Sequence, residues 1–106
     1  MVDTIDIFKM VKDEIFNDAF LDSKAETFKF KVDASDYVFK EGRKRVKVNL
    51  IFHTDHISLR YNHSDTETFV KVKAILEDVL FRAKLPYEIS EGEKERGLLC
   101  LYFKLL

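Results

Sequence analysis

RVKVNLIFHTDHISLRY, residues 45–61, decides the fold. Val46, Val48, Leu50 and Phe52 alternate with Arg45, Lys47, Asn49, Ile51 and His53. A period of two with one apolar set belongs to a strand that buries one face. Thr54 and Asp55 interrupt the pattern, and Ile57, Leu59 and Tyr61 resume it against Ser58, Arg60 and Asn62. Strands joined by so short a polar turn make an antiparallel hairpin. Its apolar sets share a face, because lengthening the loop by a residue pair leaves the parity unchanged.

Working outward, TFKFKV (27–32) has the same period, with Phe28, Phe30 and Val32 set against Thr27, Lys29 and Lys31. Tyr37 to Lys40 reads as strand continuing from it, between turn signals at Ala34-Ser35-Asp36 and Glu41-Gly42. TIDIFKMVKDEIFNDAF (4–20) has helical spacing instead: Ile5, Phe8, Val11, Ile15 and Ala19 lie on one face, widened by Phe16 and Phe20. Asp3 is the expected N-cap, and Asp6 places negative charge in the first turn. Beyond the hairpin, Ser64 to Glu67 forms a capping box. The helix it starts buries Phe69, Val72, Leu76, Val79, Leu80 and Ala83, until Pro86 prevents continuation. A last hairpin follows, made of Tyr87–Ser90, the loop EGEKERG and the run LLCLYFKLL. The order is α-β-β-β-α-β-β. It predicts a two-layer α+β fold, an antiparallel sheet with two helices on one face, with residues 1–106 as one compact domain.

Composition narrows the function classes. Of 106 residues, 46% are hydrophobic and 35% charged, with 3 glycines and 1 proline, which leaves little room for linker or low-complexity sequence. The single cysteine, Cys100, cannot close an intramolecular disulfide, and no segment has the length of a membrane span or the pattern of a signal peptide. A cytoplasmic protein without membrane contact is expected. The net charge of −1 hides an asymmetry, since residues 27–64 carry eight basic and four acidic side chains.

Little in the chain has the form of catalytic chemistry. His53, His56 and His63 are its only histidines. His53 points outward beside the turn, His56 sits in the turn, and His63 lies past the far end of the strand. Seven extended residues separate His56 from His63 by roughly 20 Å, too far to share an ion. His53, His56 and Asp55 make at most half a metal site, and a polar turn is the plainer account. Cys100 lies among leucines as a small hydrophobe, not as an activated thiolate. Glu91, Glu93 and Glu95 are interleaved with Lys94 and Arg96, as in a solvated hairpin tip. No phosphate loop, zinc spacing or nucleophile elbow is present. The expectation is a non-enzyme with no catalytic residue, no metal, no cofactor and no small-molecule substrate.

Two surfaces remain. Strand parity collects Lys29, Lys31, Arg45, Lys47 and Arg60 on the outward sheet face, extended by Arg43 and Lys44 at the turn. Such a field attracts anions and suits phosphate contacts, although lysines also solubilise a sheet face and guard its edges. The second surface is apolar. Leu98, Cys100 and Tyr102 oppose Leu99, Leu101, Phe103 and Leu105, so the last strand is apolar on both sides. Val70, Ala74 and Phe81 form a minor stripe opposite the core face of the second helix. In a two-layer fold that stripe faces water and resembles a small binding patch.

The α-β-β-β-α order, with the basic strand start GRKRVKVN, is similar over residues 45–84 to the Alu-domain proteins of the signal recognition particle. That resemblance implies RNA binding through the sheet. The final hairpin has no counterpart there, and the net negative charge departs from a basic family. The same order with two more strands also looks like type III secretion chaperones, which implies a small dimer that holds an unfolded partner segment. Those chaperones end in another helix, absent here.

The leading expectation is a protein–protein docking domain, acting as a homodimer or as an inhibitor or adaptor on a larger protein. Its composition, with thirteen Lys to five Arg and many Phe, suits an accessory protein of a phage or mobile element. The alternative is non-specific binding of a nucleic-acid backbone through the basic face.

Overall fold

The computed structural model describes residues 4–32, 38–40, 48–62, 66–92 and 98–106. Helix α1 (Thr4–Asn17) opens the chain, and a four-residue helix α2 (Ala19–Asp22) and a 3-10 turn (Ala25–Thr27) follow it. Next come β1 (Phe28–Val32), β2 (Val38–Lys40), β3 (Val48–Phe52) and β4 (His56–Asn62). The long helix α3 (Thr66–Arg82) leads to β5 (Tyr87–Glu91) and β6 (Leu98–Leu105). The fold is α+β, with the sheet in the order β2-β1-β3-β4-β6-β5. Five of its strands are those expected, and the sixth is the short edge strand β2.

The expected antiparallel sheet is in fact mixed. Val38–Lys40 does not continue β1 but turns back beside it as an antiparallel edge strand, with Phe30 opposite Phe39. The other side of β1 is taken by β3, which runs parallel to it with Phe28 opposite Val48. Alternation of apolar residues carries no strand direction, so residues 27–61 read equally well as a meander. All the remaining pairs are antiparallel.

Register aligns the apolar rows across the sheet. Val32, Phe52, Ile57 and Phe103 form one row, and Phe30, Leu50, Leu59 and Leu101 the next. Ile7, Phe8, Val11 and Ile15 of α1 and Val72, Leu76, Val79 and Leu80 of α3 close over that face. The rings of Phe8 and Phe52 meet edge to face at 5.3 Å. Helix α1 packs on β1 and β3, while α3 packs on α1 and β4.

The first helix stops earlier than its spacing predicts. Asp18 takes an extended backbone and its carboxylate accepts the Leu21 N–H at 3.0 Å, so it caps α2 and ends α1. The break rotates Leu21 into the core and leaves Ala19 exposed. The expected caps Asp3 and Ser64 lie outside the described residues.

At the end of α3, the Leu85 N–H donates to the Leu80 carbonyl and the Lys84 N–H to that of Phe81, both at 3.0 Å. This is a Schellman closure, and it holds Lys84 at φ 58. A left-handed backbone costs a side-chain-bearing residue about 1 kcal/mol, which glycine avoids. Lys84→Gly is therefore expected to raise stability by about 0.5–1 kcal/mol in urea unfolding. Among the described residues, no helix is long and apolar enough to cross a membrane.

Candidate functional site: the cleft between α3 and the β5 edge

Strands about 4.8 Å apart make this sheet roughly 24 Å wide. Two helices packed 8–10 Å apart cover only about 20 Å. With α1 over β1 and β3, α3 packs on β4 and covers the β6-β5 margin only in part: Phe103 of β6 is fully buried, and Tyr87 of β5 reaches Glu77 of α3, but Ile89 stays exposed. A cleft of about 650 Å³ occupies the gap. Tyr61, Phe69 and Leu101 line its floor, Val70 and Ala74 the helix wall, and Ile89 the strand wall. Val70 is 58% exposed and Ile89 42%, large apolar side chains left in water beside a closed core.

The rim is charged. Lys73 pairs with Glu77 at 2.8 Å. Tyr87 donates its hydroxyl to Glu77 at 3.3 Å, and burial, followed by the Glu77 charge, raises its phenol above the ordinary value. Tyr61 is likewise raised by burial and then by the Glu91 charge. Both phenols therefore stay neutral at physiological pH and serve the cleft as apolar rings with a polar tip.

The sequence-predicted interface residues divide between two faces. Val70, Ala74 and Phe81 share the outer stripe of α3, and Phe81 is 81% exposed. Cys100 and Tyr102 lie on the opposite, open face of the sheet, so the structure does not join them to that stripe. Leu98 pairs with Asn62 at the start of β6, and its side chain lies outside the described residues. Cys100 is only 6% exposed, as a small buried residue should be, yet its neighbours are polar. The Arg60 side chain lies beside Cys100 and Tyr102, and its interaction first with Cys100 and then with Tyr102 raises its pKa. Interaction with Cys100 raises the Tyr102 phenol in turn. Gly92 extends the ladder by donating to the Cys100 carbonyl at 2.8 Å, and a Cβ there would overlap the Tyr102 ring.

Of the predicted basic patch, Lys29, Lys31 and Arg60 share that open face, and Lys104 joins them. Arg43, Lys44, Arg45 and Lys47 lie outside the described residues. The histidine hairpin sits on the same face. The His53 N–H donates to the His56 carbonyl at 2.9 Å, so the loop is Thr54-Asp55 and His56 begins β4 instead of sitting in the turn. The two imidazoles stack at 4.0 Å and 13°. Nitrogen lone pairs lie in the ring planes, so stacked rings aim them side by side instead of at one ion. His56 Nδ1 lies 2.7 Å from Asp55 Oδ1, and this hydrogen bond lowers the Asp55 pKa. His53 Nε2 lies 3.2 Å from Ser58 Oγ, but Ser58 is 2% exposed, out of reach of a substrate. His63 lies outside the described residues.

The cleft itself escaped the sequence. Leu101 and Tyr61 read as core positions, and only the width of the helix layer decides which core positions are covered. The chain matches no family model, no curated protein and no solved structure. Fold and surface chemistry therefore carry the functional reading.

Proposed function

We infer that this chain is a non-enzymatic docking domain that binds another protein through the outer stripe of α3 and the adjoining cleft. The observation that carries the reading is the cluster of exposed apolar residues, Val70, Ala74 and Ile89, around a cleft beside a closed core, continued along α3 by Phe81. Such concentrated exposure is what an interaction site requires, whereas scattered apolar residues need no explanation. The buried position of Ser58 and the stacked histidines argue against nucleophilic or metal chemistry at the hairpin. A cytoplasmic adaptor or inhibitor, of the kind phages and mobile elements carry, remains the setting we favour.

Lys29, Lys31, Arg60 and Lys104 on one face favour a second reading, contact with a nucleic-acid backbone. Val70→Lys separates the two, because it puts a charge into the cleft and leaves the sheet face alone. In affinity capture from host lysate, the variant is expected to lose the proteins retained by the unmodified chain. Retention of the same proteins by Val70→Lys would remove the cleft from the interface.

A further inference from the structure

We propose that the cleft captures its partner by strand addition: an extended segment of another protein, alternating apolar and basic residues, pairs with the outer edge of β5. The proposal rests on the docking role of the cleft and specifies its mode and its ligand chemistry.

Backbone parity is the first argument. The Gly92 N–H donates to the Cys100 carbonyl at 2.8 Å, and the Leu106 N–H donates to the Pro86 carbonyl at 3.0 Å. In an antiparallel ladder the bonded pairs alternate, so Glu88 and Ser90 also bond to β6. Tyr87, Ile89 and Glu91 then turn their N–H and C=O groups away from β6. Among the described residues β5 is last in the sheet order and no strand pairs with this row, which therefore faces outward. The same three residues send their side chains to the helix side, because Ile89 stands opposite Phe103 in the core row. The free hydrogen-bonding row and the apolar cleft therefore lie along one strand. A strand added there places alternate side chains against Ile89, Leu101, Val70 and Ala74.

Charge chooses the occupant. Edge strands are commonly guarded by lysine or proline. This one reads YEISE, with Glu88 and Glu91 exposed and no lysine. Glu77 adds a carboxylate at the rim, and the cleft's lysine, Lys73, is already paired with it. A second copy pairing through β5 would bring both sets of carboxylates into one short strip, which opposes self-association. Basic residues in the added strand are attracted instead: on the open face one set lies next to Glu88, with Lys104 one strand further in, while apolar residues fill the cleft.

The test uses the full ¹⁵N-labelled chain and two blocked synthetic peptides, one alternating Val and Lys, the other alternating Val and Glu. The Val-Lys peptide is expected to bind, and the Val-Glu peptide to bind roughly tenfold more weakly or not at all at low salt. On binding, amide exchange should slow at Tyr87, Ile89 and Glu91, with Glu88 and Ser90 protected throughout. Ile89→Pro removes an outward N–H without touching the β5–β6 ladder, and it should abolish binding while Glu88 and Ser90 stay protected. Ile89→Ala keeps the N–H and should weaken binding only several-fold. Equal affinity for the two peptides would overturn the basic preference, and failure of both to bind would overturn strand addition. Shift changes confined to Val70, Ala74 and Phe81, with the outward amides unprotected, would end strand addition and leave α3 docking intact. Protection of the three outward amides without peptide, rising with protein concentration, would make a second copy the occupant and overturn the proposal.

Discussion

Phe8→Ala is expected to destabilise the fold by about 3–5 kcal/mol, the range for deleting a fully buried phenylalanine ring. Phe8 joins α1 to two strands at once, meeting Phe30 at 6.1 Å and Phe52 at 5.3 Å, both edge to face. Removing it leaves a void under the first helix and strips two aromatic contacts. Against a total stability of roughly 5–15 kcal/mol, that is a large share. Urea unfolding should show the midpoint fall with the slope unchanged. A loss below about 1 kcal/mol would mean that α1 does not lie over β1 and β3 as described.

Phe81→Ala is expected to have its largest effect on association. Its ring is 81% exposed, so truncation is expected to move folding stability by less than about 0.5 kcal/mol. Truncating an aromatic anchor inside an interface costs about 2 kcal/mol, roughly thirtyfold in Kd. The loss should change little with salt, because it removes apolar contact and no charge. Calorimetric titration of the captured partner with the variant checks both statements. A strongly destabilised variant with unchanged affinity would place Phe81 in the core and overturn the docking role of the α3 stripe.

Much of the layer structure was legible in residues 27–61 and 66–106, where period and side-chain size agree. Ile57 and Leu59 face the core as read, and Phe69, Val72, Leu76, Val79 and Leu80 are buried as spacing predicts. Val70, Ala74 and Phe81 face water for the same reason. Three features were hidden, each for a physical cause. Strand direction leaves no trace in alternation, so the parallel β1–β3 pair was invisible. Asp18 fits a helical period by position but ends the helix by accepting a hydrogen bond from Leu21, so the period points Ala19 to the core while the structure leaves it exposed. The cleft depends on how far a two-helix layer extends over a wider sheet, a property of the assembly and of no single segment. Apolar pattern alone groups Cys100 and Tyr102 with the α3 stripe. The sheet separates them, and Arg60 makes their surroundings polar.

In the proposed function, binding runs through the α3 stripe and its cleft and not through the basic face. A salt series on the captured partner tests it most directly, comparing the unmodified chain with Phe81→Ala and with Lys31→Ala/Arg60→Ala. Contacts to many phosphates would lose about 10³-fold or more in affinity between about 50 mM and about 200 mM salt. The α3 stripe and the cleft together predict a shallow salt response, about tenfold or less and set by the rim carboxylates, with a large loss for Phe81→Ala and near-normal affinity for the double variant. A steep salt slope that Lys31→Ala/Arg60→Ala flattens, with Phe81→Ala binding normally, would contradict the account and assign the function to the open face of the sheet.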